Sequence, residues 1–253
     1  MKSIRLVILL GTSLLILCAA FFAPNFRKSE PAPKETDSDT QLVHTLLSEN
    51  LSHRTFPFST IAGATSGKKV IPLDDSESHQ RVVTAIDAAL SIILPELSRP
   101  ETPIQSLSRI NEASRFFEDA LLEKLNANPE LRCDVPPTKS GTRQRSGYPD
   151  LRITDIATGS VFYLDPKLVA GDSFDSTLRS FYFEPKDETL KITDDAVHLL
   201  VGIRHNAKPG KWRFDGWRLV DASKLRVRLK AEFQASNADL YRETELSLPE
   251  PPR

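Results

Sequence analysis

At Leu131 the hydrophobic pattern of this 253-residue chain changes period. Upstream, apolar residues recur at helical spacing. Val82, Val83, Ile86, Ala89, Leu90, Ile93, Leu94 and Leu97 form one stripe, with Asp74, Asp75 and Ser76 as start signals and Pro100 past its end. Leu107, Ile110, Phe117, Leu121, Leu122 and Leu125 form a second, closed by Asn126, Asn128 and Pro129. Downstream the pattern is alternating or continuously apolar, which is what strands show: Leu131–Val135, Tyr148–Ile156, Ser160–Lys167, Arg179–Glu184, Ala196–Arg204, Trp212–Val220 and Leu225–Phe233. Helices followed by strands bury their apolar faces only by stacking as layers. The expected class is therefore α/β, a central mixed sheet flanked by helices. Ala157-Thr158-Gly159-Ser160 reads as a turn and joins two of these strands into an antiparallel hairpin.

The N-terminus follows other rules. Lys2 and Arg5 precede the apolar stretch Leu6–Phe22, so residues 1–23 read as a signal peptide or signal anchor. Small residues at Cys18-Ala19-Ala20 suit cleavage after Ala20, while a run of about 17 residues sits at the lower limit for spanning a bilayer, so both outcomes stay open. Lipid attachment at Cys18 is disfavoured by the bulky Leu15-Ile16-Leu17 before it. Either way the remainder is expected to be secreted or periplasmic, or anchored to the membrane with the domain outside the cytoplasm. Residues 24–60 read as linker and short helix, largely flexible, with Leu42, Val43, Leu46, Leu47 and Leu51 as the helical periodicity; residues 61–253 are the expected globular domain. Phe56–Leu73 reads as a loop, and Gly63-Ala-Thr-Ser-Gly67-Lys68-Lys69 is one residue short of a phosphate loop. Removal of Cys18 with a signal would leave Cys133 alone, a buried thiol with no internal disulfide.

The chemistry concentrates in the hairpin, Tyr148-Pro149-Asp150 through Asp165-Pro166-Lys167. Residues two apart on a strand share a face, so Asp165 and Lys167 point one way and Leu164 and Pro166 the other. Asp150 lies at the outer end of the partner strand, where the hairpin brings it to Asp165. Two carboxylates can hold Mg²⁺ (or Mn²⁺) with room left for water and a phosphate oxygen, and Lys167 can stabilise hydroxide or phosphoryl charge. Pro166 removes a ladder donor, which implies an edge or a bulge.

Pro149-Asp150 … Asp165-Pro166-Lys167 resembles the signature of the PD-(D/E)xK nuclease superfamily. That resemblance implies a restriction-endonuclease-like fold and a metal-dependent endonuclease cutting phosphodiester bonds. Asp150 and Asp165 match its acids and Lys167 its lysine. A further helix acid joins the metal site in many members; Glu112 is the best-placed candidate, with Glu118 behind it. With 34 acids and 14 lysines, about two acid-x-Lys triplets are expected by chance, and two occur, the other being Glu184-Pro185-Lys186. Only the first has Pro-Asp one hairpin upstream, so context carries the signal.

Net charge −1 argues against a globally basic nucleic-acid coat, yet the average conceals a gradient. Between Arg204 and Lys230 lie nine Lys or Arg and two acids. In Leu225-Arg226-Val227-Arg228-Leu229-Lys230 a strand would place three cations on one face, and Lys139, Arg143 and Arg145 lead into the site. Trp212, Phe214 and Trp217 lie among these charges, two of them expected in the core. His198, within an apolar run, reads as a core or edge residue. DNA is the expected partner, with no nucleotide cofactor, membrane contact only through the N-terminal segment, and a homodimer compatible with the sequence. The competing reading is an envelope-anchored, non-catalytic binding protein for anionic polymers with a degenerate nuclease-like fold.

Overall fold

The computed structural model describes residues 37–49, 51, 54–171, 173–177, 181–230, 234 and 236. The expected signal or anchor at residues 1–23 lies outside them, and among the described residues no helix is long and apolar enough to cross a membrane. The chain divides into residues 1–49 and 50–253. The first unit contributes one described helix, α1 (Asp37–Ser48), which keeps Leu42 and Leu47 exposed.

The second unit runs β1 (Thr55–Pro57), α2 (Phe58–Ser66), β2 (Val70–Ile71), α3 (Glu77–Leu97), 3-10 turns at Pro103–Ser106 and Ile110–Ala113, and α4 (Ser114–Asn126). The strands β3 (Leu131–Asp134), β4 (Leu151–Asp155), β5 (Val161–Ala170), β6 (Ala196–His205), β7 (Phe214–Asp221) and β8 (Arg226–Arg228) follow. Six strands form one sheet in the order β2-β6-β5-β4-β3, with β7 also paired to β6. β3, β4 and β5 are antiparallel neighbours, β5 runs parallel to β6, and β7 returns antiparallel. The sheet is therefore mixed and central, as the change of period requires.

Each face has its own core. Leu151 and Ile153 of β4, Phe162 and Leu164 of β5, and Val197, Leu199, Val201 and Ile203 of β6 pack with Val82, Ile86, Leu90 and Ile93 of α3 and Phe117, Leu121 and Leu125 of α4. On the opposite face Tyr163, Leu200 and Tyr148 pack with Phe58 and Ala62 of α2. Asp165 and Lys167 share the parity of Tyr163 and so belong to this second face.

Both long stripes are helical, with Ser76 at the start of α3. The second is broken: its first turns are 3-10 and the α-helix begins only at Ser114. Asn126 ends α4 by pairing its side chain with both the N–H and the carbonyl of Cys133, which joins the helix to β3.

Three expectations are corrected. Phe56–Leu73 is not a loop, since Pro57 immediately precedes α2 and Gly67 ends it in the left-handed conformation (φ 73°), its N–H donating to Gly63 O. The Gly63–Lys69 segment is thus a helix end. β1 and the fully buried Phe58 belong to the unit that begins at residue 50. Residues 181–184 form no strand; Phe181 and Phe183 alternate because both rings pack edge-on against Phe58, at 5.6 and 5.4 Å. The basic strand is shorter than Leu225–Phe233: β8 spans only Arg226–Arg228 and pairs with β1, while residues 231–233 lie outside the described set.

Candidate active site

The β4–β5 hairpin forms in the expected register, with Leu151 opposite Leu164, which carries Asp150 opposite Asp165 one step further. The bond from Asp155 N to Ser160 O (3.0 Å) sets the alternation, so even-numbered residues of β5 turn their backbone toward β4. The missing N–H of Pro166 therefore faces the space beyond the end of β4. It stands at a local edge, without a bulge.

Asp165 is 2% exposed. Lys167 Nζ lies 2.5 Å from Asp165 Oδ2 and 3.9 Å from Asp150 Oδ2, so one ammonium touches one acid and reaches the other. The approach to Asp165 Oδ2 is off the line of a hydrogen bond, and no aligned donor reaches that buried oxygen. Asp150 is pushed up to about 8, first by burial, then by the charge of Asp165 and a hydrogen bond shared with it; Glu118 adds to the push and Lys167 opposes it. A buried acceptor without an aligned donor, beside a carboxyl driven to keep its proton, is an arrangement that a bound cation would relieve. Among the described residues there is no group of three or more His, Cys, Asp or Glu suited to hold a metal. Two carboxylates still fit Mg²⁺, which keeps several waters and takes its remaining ligands from phosphate.

The pH consequence has a definite sign. Because folded Asp150 holds its proton more tightly than the unfolded chain does, its contribution to stability is lost as pH rises from about 4 to about 8. Thermal unfolding in EDTA is expected to show a falling Tm across that window, and Asp150→Asn to flatten the fall; parallel profiles for both proteins would contradict it.

The strand carrying Asp165 is locked two residues earlier. Tyr163 Oη accepts from the N–H groups of Thr193 and Asp194 (2.9 and 3.0 Å) and donates to Asp194 Oδ2 (2.9 Å). Arg152 bridges Asp134 (2.9 Å) and Asp194 (3.5 Å) on the same face. Beside it on this face, the Tyr148 hydroxyl bonds His198 Nδ1 at 2.9 Å. Burial holds His198 down to about 3, which favours the neutral ring. Its Nε2 has no partner among the described residues. Cys133 is a buried free thiol, pushed up to about 12 by burial.

The other candidates lie around this hairpin and on β8. Glu112 is exposed in the Ile110–Ala113 turn, while Glu118 on α4 is the helix acid that bears on Asp150. Glu118 is itself held by Arg145 at 3.1 Å. Arg145 also pairs with Asp119, and Lys139 donates to Thr65 O (2.8 Å) and Asp187 (2.9 Å), so both cations are already engaged. Arg143 is exposed. Arg226 and Arg228 are exposed on β8 with Val227 turned to the core, as alternation requires, and Arg226 donates to Thr55 at 3.0 and 2.9 Å. Lys230 lies beyond the strand. Trp212 and Phe214 are core and Trp217 is partly buried against them. Missed altogether was Lys191, fully buried near the two acids. Its signal was a lone cation between two apolar residues, Leu190 and Ile192.

A family model for the type II restriction enzyme MjaV family matches residues 50–244. The type II restriction enzyme MjaV of Methanocaldococcus jannaschii is 28% identical over 200 residues, which cover 73% of this chain and 84% of that protein.

Proposed function

Since the chain belongs to the type II restriction enzyme MjaV family, and is thus an endonuclease, we propose that it hydrolyses phosphodiester bonds in DNA with a divalent metal held at the β4–β5 hairpin. The observation that carries this is the meeting of Asp150, Asp165 and Lys167 on one face, with a buried oxygen of Asp165 lacking an aligned donor. On this reading the hairpin is the PD-(D/E)xK site. Asp150 and Asp165 hold the cation; Mg²⁺ or Mn²⁺, when bound, lowers the pKa of a water and offsets transition-state charge. Lys167, within reach of both acids, is placed to stabilise the attacking hydroxide or the developing phosphoryl charge.

The deciding assay incubates the protein with plasmid and linear DNA, and with RNA of matched length, in Mg²⁺, Mn²⁺ or EDTA. Metal-dependent cleavage of DNA is expected. Cleavage persisting in EDTA would overturn the mechanism, faster cleavage of RNA the substrate, and binding without cleavage would favour the non-catalytic reading.

The exposed cations of β8 are proposed to contact phosphate. Arg226→Ala with Arg228→Ala is expected to weaken DNA binding evenly across sequences and to lower the slope of log K against log salt by roughly 1 for each phosphate no longer neutralised. An unchanged slope would place DNA elsewhere. Export is likewise proposed, from Lys2, Arg5 and Leu6–Phe22. N-terminal sequencing of the mature protein tests it: a chain starting after Ala20 or retained in membranes supports it, and an intact soluble chain contradicts it.

A further inference from the structure

Lys191 is 0% exposed, and a buried ammonium is costly to keep unless its surroundings hold it. Its Nζ donates to two main-chain carbonyls, Arg145 O at 3.2 Å and Gln144 O at 3.4 Å. Its own N–H donates to Tyr148 O at 3.0 Å. One residue thus fastens both ends of the 144–148 turn, whose exit is Pro149-Asp150. The strip around it makes the same connection repeatedly: Lys139 N–H donates to Leu190 O (3.2 Å), and Gln144 Nε2 to Glu188 O (3.2 Å). Gly147, with φ +86°, lies so close that a Cβ there would come within 2.0 Å of Thr189 O. Burial lowers the pKa of Lys191, and the charges of Asp150, Glu118 and Asp165 each oppose that shift. The other end of the turn carries Arg145, which reaches Glu118.

We propose that Lys191 is a positioning residue of the nuclease site: it clasps the 144–148 turn so that Asp150 is presented opposite Asp165. The inference rests on the nuclease reading of those acids. Outer partners of metal ligands of this kind typically change metal affinity or activity by roughly 10–100-fold when removed.

The test uses the full chain and two readouts. Mn²⁺ binding is measured by calorimetry without DNA, and kcat and KM are measured on DNA. Lys191→Met, close in volume, is expected to stay folded by circular dichroism, to bind Mn²⁺ about tenfold or more weakly, and to lose kcat by a similar factor with KM within about threefold. Lys191→Arg keeps charge and donors and is expected to recover part of both. Gly147→Ala loosens the same clasp from the other side without touching an acid or Lys191, and is expected to give the same pattern; it carries the test if Lys191→Met does not fold. A folded Lys191→Met with unchanged Mn²⁺ affinity and kcat would overturn the proposal. So would tighter Mn²⁺ binding with unchanged kcat, which would make the ammonium only a repelling charge. If the parent protein binds Mn²⁺ but does not cut DNA, the nuclease reading fails while calorimetry still decides the role of Lys191.

Discussion

Asp165→Asn is expected to leave a folded protein whose cleavage of DNA is slower by about a thousandfold, the scale on which fixed electrostatic stabilisation at a reacting centre is lost. The substitution keeps the shape of a side chain that is 2% exposed and removes its charge. On the proposed function, one of the two carboxylates offered to the metal is then lost, and Lys167 loses the acid 2.5 Å from its ammonium. A like charge is also taken away from Asp150, so the same variant is expected to melt higher than the parent in EDTA near neutral pH. Loss of activity with gain of metal-free stability distinguishes a site residue from a damaged fold. Lys167→Ala is expected to share the first effect and not the second, because it leaves two buried acids with less compensation. Single-turnover cleavage at saturating DNA measures the rate, and thermal unfolding the stability. Cleavage by Asp165→Asn within about threefold of the parent would place the chemistry elsewhere.

The second large effect concerns stability alone. Asp155, fully buried at the end of β4, accepts from Arg81 of α3 at 3.0 and 3.3 Å and from Thr158 in the hairpin turn at 2.6 Å. Arg81→Ala strands a buried carboxylate, for which the expected cost is about 3–5 kcal/mol. For a domain of this size that lowers Tm by on the order of 10 °C. The Arg81 guanidinium, foremost among the causes, holds Asp155 well below the usual carboxylate range. A depressed folded pKa contributes stability that is present above the unfolded value and lost as pH falls below about 4. The gap between parent and Arg81→Ala should therefore narrow in acid. Urea unfolding at pH 7 and pH 3 measures both, and a difference under about 1 kcal/mol at pH 7 would show the pair to be dispensable.

What the sequence made legible was set by local rules. Period-2 spacing put Asp165 and Lys167 on one face, and the turn residues fixed the register that carries Asp150 opposite Asp165, so the central pairing needed no long-range information. The placement of the helix acids was hidden for a local reason as well. The 3-10 turn at Ile110–Ala113 and a late start at Ser114 change the phase that Leu107 and Ile110 suggested, so Glu112 lies in the turn and Glu118 on α4. Pro57 and Gly67 look like loop punctuation until seen as the boundaries of α2. Lys139 and Arg145 could not be recognised as engaged, because Asp187 lies 48 residues away and Glu118 lies 27. Lys191 was hidden similarly, since its meaning depends on the carbonyls of a turn 46 and 47 residues earlier.

The two faces of the sheet give this protein a practical separability. Ile86, Leu90, Phe117 and Leu121 fill one face, while Asp165 and Lys167 stand on the other with the strands between them. An engineer could therefore repack the helical side for heat tolerance, and vary the acid and lysine side chains across the sheet separately, with few positions contested by both aims.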